Sequence, residues 1–191
     1  ATRLSRSPYS AILPYSISGL AHYYLGNYEE GRDIAQKSIV LSTQTNSHRM
    51  TGYASAYAGM NEAELASFGA AWVYAQKAIE IGEKQGHAEI VSMGYKIFGD
   101  IYSRLEAFPQ AAKAYQYSVD TDPGSFAMLE NLARLGLTLN LLGKPEGDTL
   151  LKTALVESKA AGLDVIYHNA KALELSLFLV RDDYESFEEN V

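Results

Sequence analysis

A seven-residue pattern returns at a fixed interval along the chain. Leu25-Gly26-Asn27-Tyr28-Glu29-Glu30-Gly31, Leu65-Ala66-Ser67-Phe68-Gly69-Ala70-Ala71 and Leu105-Glu106-Ala107-Phe108-Pro109-Gln110-Ala111 align without gaps, each a step of 40 after the last. The shared order is leucine, two small or polar residues, an aromatic, two variable residues and a small residue. A fourth copy begins at Leu142 with Gly143-Lys144-Pro145-Glu146-Gly147, a step of 37. A fifth is suggested by Val180-Arg181-Asp182-Asp183-Tyr184, where the spacing slips by one. Gly19, Gly59, Gly99 and Gly136 each lie six residues before the leucine. Self-similarity at such a period means stacked units, because one unit alone cannot bury its second face.

Each copy reads as two helices. Tyr28, Gly31, Ile34, Ala35, Ser38 and Ile39 fall at three- and four-residue spacings on one helix face, with Glu29, Glu30, Arg32, Asp33, Gln36 and Lys37 on the other. Phe68, Ala71, Ala75, Ala78 and Ile79 repeat the pattern, as do Phe108, Ala111, Tyr115 and Val119. Gly86 and Gly162 stand where a left-handed C-terminal residue is wanted, and Asp122-Pro123-Gly124 closes the third pair. Pro109 and Pro145 fall in first turns. The phased glycines predict close packing of each pair, Gly19 near Gly31 and Gly59 near Ala71, with Tyr28, Phe68 or Phe108 filling the hairpin's open end. No alternating Val-, Ile- and Thr-rich run predicts a strand. The expected fold is all-α: an α-solenoid of four to five antiparallel helix-turn-helix repeats of about 37–40 residues, first helices on the inner curve.

Lys+Arg is 16 and Asp+Glu 23, for a net charge of −7. A chain this acidic is a poor match to duplex nucleic acid, whose phosphates must be neutralised by cations, and to a polybasic membrane-surface module. With no cysteine there is no disulfide, thiolate metal site or cysteine nucleophile. No apolar stretch reaches the roughly 20 residues of a membrane helix. Arg3 and Arg6 are not followed by the apolar core of a signal peptide. The chain opens on Ala1 and stops at Val191 after an acidic stretch, so a segment of a longer polypeptide is expected.

The third copy carries a family resemblance best. Gly99, Tyr102, Ala111, Tyr115 and Asp122-Pro123 match the small–aromatic–small–aromatic–proline pattern of the tetratricopeptide (TPR) family, which the chain resembles from about Pro14 to Val191. No tryptophan opens a repeat, Asp148 replaces the small residue in the fourth copy, and the step is longer than the family's. The resemblance implies a right-handed superhelix over residues 1–191 as a single repeat domain, with repeats at about 12–46, 47–86, 87–123, 124–162 and 163–191. The longer step is similar to that of TPR-like arrays in large bacterial signalling ATPases and transcription regulators.

Tyrosine is over-used, 14 against one Trp and 6 Phe. Tyr23, Tyr24, Tyr53, Tyr57, Tyr95 and Tyr102 lie on first helices, where a ring with a polar tip suits peptide recognition. Tyr23, Tyr24 and Tyr53 are expected to be exposed in a concave partner-binding groove. The resemblance adds Met60, Lys96, Asp100, Arg104 and Asn140 to it. A clamp for a C-terminal carboxylate is not expected: Ser16, Leu20, Ala56 and Met60 stand where that family mode needs cations. Lys96 and Arg104 remain as an anchor for an acidic group, with Asp100 one turn from each.

The four histidines, His22, His48, His87 and His168, are spread over different repeats, and no metal site or other cofactor is expected. Asp182, Asp183, Glu185, Glu188 and Glu189 read as a solvated, acidic helix start. Walker, G-x-G-x-x-G and G-x-S-x-G signatures are absent, so no catalytic residue is expected. The expected function is non-enzymatic: a protein-interaction or scaffolding module of a larger cytoplasmic signalling or regulatory protein. Its groove would bind a peptide or partner domain, without direct contact to nucleic acid or membrane. The alternative is a small-molecule effector-sensing arm of a signalling ATPase, transcription regulator or nucleotide cyclase. Leu173, Leu175, Leu177, Phe178, Leu179 and Val180 are apolar around more than one helix face, which points to a homodimer through the C-terminal end.

Overall fold

The computed structural model describes residues 8–190, so Arg3, Arg6 and Val191 lie outside the described residues. Among these residues there are ten α-helices and no strand. Contacts divide the chain into two compact units, residues 1–101 and 102–191.

The first unit holds α1 (Pro8–Tyr24), α2 (Tyr28–Gln44), α3 (His48–Glu64), α4 (Phe68–Gln85) and most of α5 (Ala88–Arg104). Helix α1 packs on both α2 and α3, α2 on α3, and α3 on α4. Helix α5 enters the same core through Ile90, Met93 and Ile97. The second helices bury one narrow face of small residues: Gly31, Ala35, Ser38 and Ser42 in α2, and Ala71, Ala75, Ala78 and Gly82 in α4. That spacing of four, three and four is one side of a helix. Helix α3 is buried almost all round, from Thr51 to Ala63 with only Tyr53 half-exposed, which explains why its sequence shows no clear apolar stripe.

The close approach predicted from the glycines is present. A methyl group on Gly19 would lie 3.3 Å from the Gly31 carbonyl oxygen, and one on Gly59 would meet Ile97 at 2.9 Å. Gly31 is packed tighter still, because the buried Asn61 amide sits over it, donating to the Tyr57 and Gly19 carbonyls at 2.8 and 3.4 Å.

The second unit runs through α6 (Phe108–Thr121), α7 (Phe126–Leu141), α8 (Glu146–Ala160), α9 (Asp164–Val180) and α10 (Tyr184–Asn190). Helix α7 packs on α6, α8 and α9, and α9 on α8 and α10. The small face recurs as Ala111, Ala114 and Ser118 in α6 and Gly147, Ala154 and Ser158 in α8, with Tyr115 and Leu151 between them. In the cluster at the chain's end Leu177 is buried, while Leu179 and Val180 are exposed.

One device ends the first helix of every pair. Gly26, Ala66, Glu106, Gly143 and Asp182 all have φ between 56 and 75°, and the following amide reaches back to the carbonyl five residues earlier, as Asn27 does to His22 and Ser67 to Glu62. This is the Schellman closure. Ala66, Glu106 and Asp182 each carry about 1 kcal/mol of left-handed strain that glycine avoids.

These turns correct three expectations. Asp182 occupies the left-handed position and Tyr184 opens α10 two residues later, as Tyr28 follows Gly26. The fifth copy is therefore in register, with Arg181 in the leucine place. In the fourth copy the small residue is Gly147, buried against α7, and not Asp148, which is exposed. Gly147 follows the left-handed Gly143 by four residues, where Gly31 follows Gly26 and Ala71 follows Ala66 by five, and Pro145 is the N-cap of α8. Finally, Tyr28 and Phe68 begin second helices directly after the turn, at the closed end of the hairpin, where they pack on the core.

Candidate functional site

In the first unit a groove of about 520 Å³ runs over α1, α3 and the start of α5. Leu13 and Ile17 come from α1 and are 56% and 57% exposed. Helix α3 contributes Arg49, Met50, Tyr53 and Tyr57, and α5 contributes Glu89. The 40-residue step explains this convergence. Leu13 and Ile17 occupy the same repeat positions as Tyr53 and Tyr57, and Arg49 the same position as Glu89. Adjacent first helices thus present equivalent residues side by side.

The two rings form the floor. Tyr53 and Tyr57 are stacked with centroids 6.1 Å apart and planes 28° from parallel. The Tyr53 hydroxyl donates to Glu89 Oε2, and the Arg49 guanidinium lies 5.6 Å from the centre of the Tyr53 ring. Burial pushes the Tyr57 phenol above the ordinary tyrosine value, and the Glu89 charge adds to the effect. Tyr53 is raised by burial first and by its bond to Glu89 second, while Arg49 pulls the other way.

These shifts carry a pH signature. A phenol whose proton is held more tightly in the folded state contributes stability that is complete below the unfolded value, about pH 10, and lost as pH rises through the folded one. Unfolding free energy is expected to fall with rising pH above about 10, and Tyr57→Phe to flatten that fall. Denaturant titrations across the alkaline range measure it.

The other residues expected in the groove are placed differently. Tyr23 was expected to be exposed but is buried at 6% exposure. Lys96 Nζ donates to its hydroxyl at 3.1 Å and lies 5.1 Å from its ring centre. Lys96 also pairs with Asp100 at 3.0 Å, and both are sequestered, at 2% and 3% exposure. A buried ammonium already matched by a carboxylate is no anchor for an acidic ligand, which corrects that expectation for Lys96. Met60 is buried in the same core. Tyr24 is exposed, its ring edge-on to Tyr23 at 5.2 Å.

Arg104 and Asn140 belong to the second unit. Arg104 is exposed. Asn140 accepts a bond from Arg181 at 2.8 Å, and Arg181 also pairs with Asp148 at 3.0 Å.

Leu13, Ile17, Arg49, Met50 and Glu89 were missed as groove residues. The signal was available in the repeat itself: subtracting 40 from Tyr53 and Tyr57 gives Leu13 and Ile17. Among the described residues no group of three or more His, Asp or Glu side chains is placed to hold a metal ion, and no helix is long and apolar enough to cross a membrane. No family model matches the chain, and a search of curated proteins finds no match.

Proposed function

We propose that this chain is a non-catalytic protein-interaction module of TPR type, built as a right-handed superhelix, in which the groove over α1, α3 and α5 binds an extended peptide. The peptide belongs to a partner protein or to another part of the same polypeptide, and the module serves a larger cytoplasmic signalling or regulatory protein. The observation that carries this reading is the pair Leu13 and Ile17, more than half exposed, beside the stacked Tyr53 and Tyr57 rings. Apolar side chains flanking a rigid aromatic floor, with one polar pair to fix orientation, have the anatomy of an interaction hot spot.

A selected peptide tests the reading. A random 12-residue display library is sorted against the chain, and the enriched peptide is titrated into Ile17→Asp and Leu13→Asp variants. Both sites are exposed, so melting should stay within a few degrees of the parent, while affinity falls at least about tenfold, the effect of losing one hot-spot contact. Undiminished affinity in both variants would contradict the proposal.

A further inference from the structure

This inference rests on the groove being a peptide site and adds the chemistry of its occupant. We infer that the peptide side chain seated over Tyr53 is cationic, a lysine or an arginine, and that Arg49 is the intramolecular stand-in it displaces.

Three features converge on this. The Tyr53 hydroxyl is committed to Glu89, so the ring offers a newcomer its π face, to which a cation is drawn. That face already carries a guanidinium, that of Arg49, at the distance such contacts take. Arg49 is exposed, on a long flexible stem in the first turn of α3. Swinging away gives up its hydrogen bond with Tyr53, which water can replace at so exposed a guanidinium.

Glu89 supplies the charge complement. Its carboxylate has room for several hydrogen bonds, of which Tyr53 takes one. With Arg49 aside, Glu89 is the only charged side chain lining the groove among the described residues, and the site is then negative. An acidic peptide would instead bring a second carboxylate against Glu89 in order to reach Arg49. Leu13, Ile17 and Met50 flank the rings, so the residues beside the cation are apolar.

The test uses the peptides enriched from the 12-residue library, with affinities measured by fluorescence anisotropy for the parent, Arg49→Ala and Glu89→Gln. The expected peptides pair Lys or Arg with an apolar neighbour. Glu89→Gln keeps an acceptor for Tyr53 yet should weaken them about tenfold, the loss of a charge-assisted bond. Arg49→Ala should tighten them about two- to fivefold, since the internal competitor for an exposed ring is gone. Circular dichroism melting verifies that both variants are folded. Enrichment of Asp- or Glu-bearing peptides whose binding is lost in Arg49→Ala would overturn the inference. So would peptides sensitive to Ile17→Asp but indifferent to Glu89 and Arg49; in that case the groove reading stands. Binding indifferent to both Ile17→Asp and Leu13→Asp would sink the groove reading as well.

Discussion

Replacing Gly147 by alanine is expected to destabilise the second unit by about 2–3 kcal/mol, even though alanine is the better helix former by about 1 kcal/mol. A methyl group there would lie 2.5 Å from the Gly136 carbonyl oxygen and 2.8 Å from the Asn140 backbone nitrogen. These are backbone atoms of α7, so no side-chain rotation relieves the clash. The reciprocal variant, Gly136→Ala, would put its methyl 2.8 Å from both the Gly147 oxygen and the Leu151 nitrogen and should behave alike. Gly69→Ala is the control. It lies in the first turn of α4 with nothing within 4 Å of the added carbon, and it should gain a few tenths of a kcal/mol to about 1 kcal/mol. Urea denaturation of the three variants gives both signs.

Lys96→Met is expected to cost about 3 kcal/mol, because it withdraws the cation 3.0 Å from a carboxylate only 3% exposed. It also removes the donor to the Tyr23 hydroxyl and the charge over that ring. Desolvating two ions offsets much of their attraction, so replacing both is a different experiment from replacing one. The double variant Lys96→Met/Asp100→Leu should recover most of the loss. A double-mutant cycle from denaturant midpoints therefore shows strong coupling. Equal and additive losses would mean that the pair does not hold this part of the core.

Much of this architecture could be read from the repeat. The step of 40 located Gly19 against Gly31 and Gly59 against Ala71, and the glycines at helix ends placed left-handed residues at Gly86 and Gly162. The fourth copy was misregistered for a local reason. The packed residue follows the left-handed Gly143 after four residues and not five, so counting from Leu142 lands on Asp148 when the packed residue is Gly147.

Exposure was harder to read than position. On α2 the small residues Gly31, Ala35, Ser38 and Ser42 mark the buried face, but α3 and α5 are enclosed by neighbours, and burial there is decided by residues distant in the chain. Tyr23 is buried by its meeting with Lys96, 73 residues on, a contact that no local pattern announces. Tyr53, near the start of α3, keeps a half-exposed ring, with the exposed Leu13 and Ile17 of α1 at its flank.

The central claim is that α1, α3 and the start of α5 form the binding surface. Amide and methyl chemical-shift mapping of the labelled chain with a library-selected peptide tests it most directly. The account predicts that the largest shifts gather at Leu13, Ile17, Met50, Tyr53 and Glu89, and leave the exposed Val40 of α2 and Val73 of α4 unmoved. Shifts centred on Val40 and Val73, with the groove residues silent, would contradict it.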